Sequence, residues 1–232
     1  MFDFYEYVPF APAVNAGNQA FLMNTGDMPL TDLWWLDFLV KRIKKPGMVA
    51  YEIGAWTGMS TCCIGEIVKE CNGTLTTVDN FKGSNDNQAK MLNKVNVKGI
   101  LERNLTRFEL DDTVTIIEKS SNDCDVPDKS IDFLFIDGDH RYTQLKKDLD
   151  TWLPRMKDDG IMSGHDYDCN MWNDKFIEMD AEHMKDGKYI HHGVVKAVSE
   201  KFGTIKLFSF NGKPQSTIWV HERKNFDKRR WE

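Results

Sequence analysis

Short β-rich runs separated by helix-length segments recur along most of this 232-residue chain, and this alternation constrains its fold more than any other feature. The runs are 48–53, 74–78, 114–117, 131–136 and 160–163. Their apolar character, without strict in–out alternation, marks strands covered on both faces. Segments 57–69, 89–108 and 142–153 between them read as helices. This order builds βαβ units, and hence an α/β, Rossmann-like parallel sheet with helices on both faces. A further helix precedes the first strand, with Thr31 as expected N-cap, Asp32 at its positive end and Gly47 as its stop. The chain ends differently. A helix over 194–202 precedes runs 204–210 and 216–220, which flank Asn211-Gly212-Lys213-Pro214. That hairpin signal places one antiparallel strand at the sheet edge.

The length suits one domain, divided into an N-terminal helical cap (1–47), a core (48–167), a lid-like insertion (168–192) and a C-terminal helix with hairpin (193–232). A formal charge of −6 argues against a nucleic-acid partner. The basic tail from His221 through Lys228-Arg229-Arg230 reads as a solvated terminus. No apolar run approaches the ~20 residues of a membrane helix, and the acidic start Met1–Tyr7 is no signal peptide. Cys62, Cys63, Cys71, Cys124 and Cys169 form no zinc spacing and read as free thiols in the cytoplasm.

In open α/β sheets ligands bind beyond the carboxyl ends of the strands, so the polar residues there carry the functional argument. The first group is Glu52-Ile53-Gly54-Ala55-Trp56-Thr57-Gly58-Met59-Ser60. Glycines four apart at a strand-to-helix turn allow positive φ and close approach of backbone to a ligand, although a bare turn can need them too. No Gly-Lys-Ser/Thr follows, so this is no phosphate loop, and G-x-x-x-G is not the dinucleotide G-x-G-x-x-G. Glu52 is an awkward neighbour for a pyrophosphate and a comfortable one for a cation. Asp79 ends the next strand and can accept hydrogen bonds from both ribose hydroxyls of a nucleoside, although many strand-end acids are only turn residues.

The third group joins Ile136-Asp137-Gly138-Asp139-His140 with Gly164-His165-Asp166-Tyr167. Both end consecutive strands, so Asp137 and Asp166 should face each other across one sheet edge. Carboxylates that close repel unless a cation or proton lies between them, and hard oxygen ligands suit Mg²⁺ or Mn²⁺. The alternative is a set of turn and cap residues. His140, three residues past Asp137, is near enough to act as base on a metal-bound hydroxyl.

In this order, the four elements resemble the class I S-adenosylmethionine (SAM)-dependent methyltransferases. The nearest group is the small-molecule O-methyltransferases, macrocin-type and, more distantly, catechol-type, and the resemblance spans roughly Val49 to Val220. It implies a seven-stranded sheet whose last strand is antiparallel. It also implies that Glu52, Gly54, Ala55, Trp56, Thr57, Gly58 and Ser60 wrap the methionine part of SAM. Asp79 and Asn80 would hold the ribose, Ser121 and Asn122 would frame the adenine, and Asp137 would border the cofactor. Metal-dependent members place an acid at Asp137 and a ligand pair at His165-Asp166. Relatives often carry Asp or Asn where this chain has His165, so His165 is either a ligand favouring a softer metal than Mg²⁺ or a satisfied structural histidine. Catechol-type enzymes have a lysine base at the place of His140.

The implied activity is methyl transfer from SAM to a small-molecule hydroxyl, assisted by a divalent cation, with Asp137 and His140 as catalytic residues. A nicotinamide-dependent oxidoreductase and a non-catalytic SAM-binding protein are the alternatives. A nucleic-acid methyltransferase is disfavoured by charge and by the lack of an Asn/Asp-Pro-Pro-Tyr/Phe box. The aromatic start (Phe2, Phe4, Tyr5, Tyr7, Phe10) and the insertion with Trp172 either line the acceptor side or serve packing or a homo-oligomer contact. His183, His191 and His192 read as surface or cap residues.

Overall fold

A computed structural model of the chain describes residues 28–83, 92, 95–185, 187–205, 209–210, 213–214 and 216–222. The aromatic N-terminus and the basic residues from Arg223 onward lie outside them. The first described helix, α1 (Leu30–Arg42), buries Leu33, Leu36, Leu39 and Val40 completely. It starts after Pro29, so Thr31 is not its N-cap; Asp32 does lie in the first turn.

Next come β1 (Val49–Ile53), α2 (Met59–Glu70), β2 (Thr74–Val78), α3 (Val97–Arg107), β3 (Val114–Ile117), β4 (Ile131–Ile136), α4 (Tyr142–Trp152) and β5 (Met156–Gly164). The chain then forms the short β6 (Glu182–His183) and β7 (Tyr189–Ile190), α5 (His192–Phe202), β8 (Ser209–Phe210), β9 (Lys213–Pro214) and β10 (Trp219–Glu222). Asn96 caps α3 by accepting the N–H of Gly99 at 2.9 Å. The expected start of this helix at Ala89 lies outside the described residues.

The main sheet runs β10-β5-β4-β1-β2-β3, parallel except for β10, which pairs antiparallel with β5. It has six strands among the described residues, not seven. The run expected over 204–210 is described as strand only at Ser209–Phe210, in a two-residue ladder with β9. Lys206, Leu207 and Phe208 of that run lie outside the described residues. The tight ladder also replaces the hairpin partner expected at 216–220, and that run instead closes the sheet edge as β10.

All six residues of β4 are buried, as a strand packed on both faces requires. One core cluster joins α1 and α2 to the sheet, and a second joins α4 and α5 to its other face. The order reverses between β1 and β4, where such sheets open a crevice at their carboxyl ends. Gly54 makes that junction possible. It has φ +88°, and a Cβ there would lie 2.1 Å from the carbonyl oxygen of Asp137. At the opposite end of β4, buried Asp132 binds Lys45 at 2.6 Å, Lys157 at 2.9 Å and the N–H of Val49 at 2.9 Å. No helix among the described residues is long and apolar enough to cross a membrane.

Candidate active site

The turn after β1 is built on three positive-φ residues, Gly54 (+88°), Trp56 (+46°) and Gly58 (+95°). Gly58 begins α2 in the left-handed region, so the free N–H groups and positive end of that helix open onto the turn. Asp79 fastens the turn from the neighbouring strand. Its Oδ2 accepts the N–H groups of Ala55 and Trp56, each at 3.0 Å, and its Oδ1 accepts that of Phe81 at 2.7 Å.

Glu52 lies behind the turn and is fully buried. Ser60, Thr61 and Thr77 donate to its carboxylate at 2.5, 2.6 and 2.7 Å. Burial nevertheless dominates and pushes its pKa up to about 7. Glu52 therefore holds the floor of the turn through hydroxyl contacts, which also occupy Ser60. Thr57 differs. Its hydroxyl is buried with no partner among the described residues, while its carbonyl accepts Asn104 Nδ2 at 2.8 Å. An unpaired buried hydroxyl beside a helix N-terminus fits a ligand with polar groups and an anionic end, such as the amino-acid portion of SAM.

Ser121 and Asn122, expected at the adenine, form a short 3₁₀ turn after β3. Their side chains turn toward α4. Ser121 Oγ donates to buried Asp148 at 2.5 Å, Asn122 Nδ2 donates to the same oxygen at 2.9 Å, and Gln144 donates to Asn122 at 2.9 Å. These contacts fasten the loop to α4. Asn80 is exposed and its side chain accepts the N–H of Lys82 at 2.8 Å.

The ends of β4 and β5 carry the densest polar cluster. Their register pairs Ile136 with Gly164, and the N–H of His165 bonds the carbonyl of Ile136 at 3.1 Å. Asp137 and Asp166 therefore emerge side by side. His140 Nε2 stands between them, 3.4 Å from Asp137 Oδ1 and 3.1 Å from Asp166 Oδ2. His165 Nδ1 lies 3.1 Å from Asp166 Oδ1 and 3.8 Å from Asp137 Oδ1. Asp166 has φ +63°, an unusual conformation for a residue other than glycine and one that often accompanies functional sites.

The sequence reading missed several members of this cluster. His191 Nδ1 lies 3.6 Å from Asp166 and 3.0 Å from Asp168, and its ring meets that of His140 edge-on at 4.7 Å. Asp180 binds His140 Nδ1 at 3.0 Å, and Asp32 binds His165 Nε2 at 2.8 Å. Gly193 permits this convergence, because a Cβ there would lie 2.3 Å from the carbonyl oxygen of His140. A glycine directly after a His-His pair was the one available signal. His192 is a buried structural residue bonded to Glu182 at 2.6 Å, and His183 packs against Tyr189, as a surface reading of that residue expects.

Electrostatics bind the cluster together. Burial opposes charge on His140 and His165, but Asp166 and Asp137 outweigh it and raise both pKa values well above the usual histidine range. Burial alone would raise the pKa of Asp166; His165, His191 and His140 overcome that and hold it below the usual carboxylate range. Two carboxylates in this pocket thus demand positive charge, which two protonated imidazoles or a metal cation can supply. Carboxylate oxygens mixed with imidazole nitrogens form a donor set suited to a divalent ion.

Parallel strands with one reversed edge strand, a glycine turn fastened by a strand-end acid and an adjoining acid–histidine cluster define a class I methyltransferase. A family model described as a methyltransferase domain matches residues 51–167, and the chain belongs to that family. An uncharacterised protein of Acanthamoeba polyphaga mimivirus is 26% identical over 192 residues, covering 80% of each chain. Among solved structures, a candidate caffeoyl-CoA O-methyltransferase from Staphylococcus aureus superposes with TM-score 0.59 at 16% identity, covering 91% of each chain. An S-adenosylhomocysteine-bound methyltransferase from Podospora anserina gives 0.57 at 13% identity, covering 93% of this chain and 89% of that one. A TDP-rhamnose 3'-O-methyltransferase of calicheamicin biosynthesis gives 0.51 at 14%, covering 94% and 98%.

Proposed function

We propose that this protein transfers the methyl group of SAM to a hydroxyl of a small molecule with the help of a divalent cation. The observation that carries the reading is the side-by-side emergence of Asp137 and Asp166, bridged by His140 and His165, one strand away from the glycine turn. Two of the similar structures bear the names of O-methyltransferases, which agrees with a hydroxyl acceptor.

When bound, SAM supplies an electrophilic methyl on a sulfonium centre. A cation held at the cluster would supply Lewis acidity toward an acceptor hydroxyl, favouring release of its proton to solvent. The protein's own contribution is positional. Gly54 to Gly58, the Thr57 hydroxyl and the α2 N-terminus would hold the amino-acid end of SAM, and Asp79, which fastens the turn, would also accept from the ribose. Asp137, Asp166 and His165 would hold the ion. Fixing methyl and oxygen in line can supply ~7–11 kcal/mol of the barrier reduction. The insertion 168–192, with Met171 at 77% exposure and Trp172 at 39%, offers apolar surface for the acceptor side.

The test is a panel of phenols and sugars incubated with methyl-labelled SAM, with and without chelator. A labelled product that disappears on chelation and in Asp137→Ala, with S-adenosylhomocysteine affinity retained, is the expected result. Turnover by Asp137→Ala at the wild-type rate would remove the cation from the reaction.

A further inference from the structure

Helix α3 presses two residues of one face against the glycine turn. Leu101 and Asn104 are three positions apart, so they project from the same side of the helix, and both are buried. Leu101 packs on Gly58, where a Cβ would lie 2.6 Å from its Cδ1. Asn104 Nδ2 donates to the carbonyl oxygen of Thr57 at 2.8 Å.

Local criteria do not explain an asparagine at this position. It favours a helix interior less than leucine does. The other buried residues of α3 are Val97, Leu101 and Leu105, and an amide withdrawn from water among apolar side chains costs free energy unless it is hydrogen-bonded. The bond to Thr57 meets that demand across 47 residues of chain.

Its effect is to clamp one peptide at both polar ends. The carbonyl of Thr57 is held by Asn104, and the N–H of Gly58 donates to the carbonyl of Ala55 at 2.8 Å. The peptide unit is planar, so fixing these two groups fixes its plane. The turn needs such restraint, because Trp56 at φ +46° occupies a region that costs a residue other than glycine free energy. The plane in turn sets the direction of the buried Thr57 hydroxyl and of the first turn of α2 beyond Gly58.

We propose that Asn104 is a positioning residue for the methyl donor. From α3 it holds the Thr57–Gly58 peptide so that the Thr57 hydroxyl and the α2 N-terminus meet the amino-acid end of SAM, and it acts through Thr57 rather than on the cofactor. The inference rests on the reading that Gly54 to Gly58 hold SAM, and it adds α3 to that site.

Calorimetric titration of the full chain with S-adenosylhomocysteine, well below the melting range, tests this on wild type and three variants. Asn104→Asp is nearly isosteric but replaces the amide donor with a carboxylate oxygen, and it should weaken binding at least about tenfold. Asn104→Ser removes the amide without adding charge and should weaken binding by about three- to tenfold. It keeps the test decisive should Asn104→Asp misfold. Leu105→Ala is the control, since its side chain lies in the core of the same helix. It should lower the melting temperature at least as far as either substitution at Asn104, yet leave the affinity within about twofold of wild type. Affinity within about twofold of wild type in both Asn104 variants, or an equal loss in Leu105→Ala, would overturn the assignment while leaving the methyl-donor site standing. Failure of wild type to bind S-adenosylhomocysteine would overturn both.

Discussion

Oδ2 of Asp79 lies 3.0 Å from the backbone nitrogen of Trp56, and that hydrogen bond ties the glycine turn to the end of β2. The same oxygen holds Ala55, so one carboxylate organises the turn. Hydrogen bonds to a charged acceptor contribute about 1.5–3 kcal/mol each. Asp79→Ala should therefore weaken S-adenosylhomocysteine binding more than tenfold with the far-UV spectrum unchanged, as calorimetry and circular dichroism can establish. Asp79→Asn, which keeps an acceptor, should lose less.

Glu52 carries a stability signature. Its folded pKa of about 7 exceeds the unfolded value of 4.5, so between those values the unfolded chain releases a proton that the folded chain retains. Stability should accordingly fall as pH rises from 4.5 to 7, by about 3 kcal/mol for this group. His140 and His165, raised in the folded state, also contribute stability that is lost as pH rises through their folded values. Urea melts of wild type and Glu52→Gln at pH 5.5 and 8 isolate the carboxyl. The variant should show the shallower pH dependence, and parallel curves would refute the assignment.

Gly54→Ala should destabilise the fold by at least ~2 kcal/mol, because the positive φ and the Asp137 carbonyl at 2.1 Å both oppose a Cβ. Thermal unfolding checks this. A melting temperature within a degree of wild type would show that β1 and β4 are less tightly joined than described.

The two acids of β4 and its end loop divide stability from function. Asp132 neutralises Lys45 and Lys157 at the amino end of the strand, far from Asp137 at the carboxyl end. Asp132→Ala removes the buried acceptor of Lys45, Lys157 and the Val49 N–H, while both ammonium groups keep solvent contact, and should cost about 1–3 kcal/mol in denaturant melts. Its affinity for S-adenosylhomocysteine below the melting range should match wild type.

Much of this was legible in the sequence. β-branched and apolar runs flanked by glycines and acids located β1 to β4, and the order of strand-end motifs located the crevice, because both depend on contacts local in the chain. β5 starts four residues before the expected run: its Lys157-Asp158-Asp159 segment is polar, and its register with β4 jumps there from Ile131–Met156 to Phe133–Ile161. Asp32 and Asp180 escaped notice because each meets its histidine only through tertiary packing. His191, expected as a surface or cap residue, is the N-cap of α5, and its link to the cluster escaped because the insertion has no periodicity to place its side chain. Glu52 and Ser60 looked like cofactor contacts and prove to bond each other, a pairing that a strand-to-helix turn conceals in linear order.

The most direct measurement is calorimetric titration of the purified chain with S-adenosylhomocysteine and, separately, with NADH. Saturable one-to-one heat with the former, none with the latter, and loss of the signal in Asp79→Ala are the results expected of a methyltransferase built on the Gly54–Gly58 turn. Binding of NADH with no response to S-adenosylhomocysteine would contradict it.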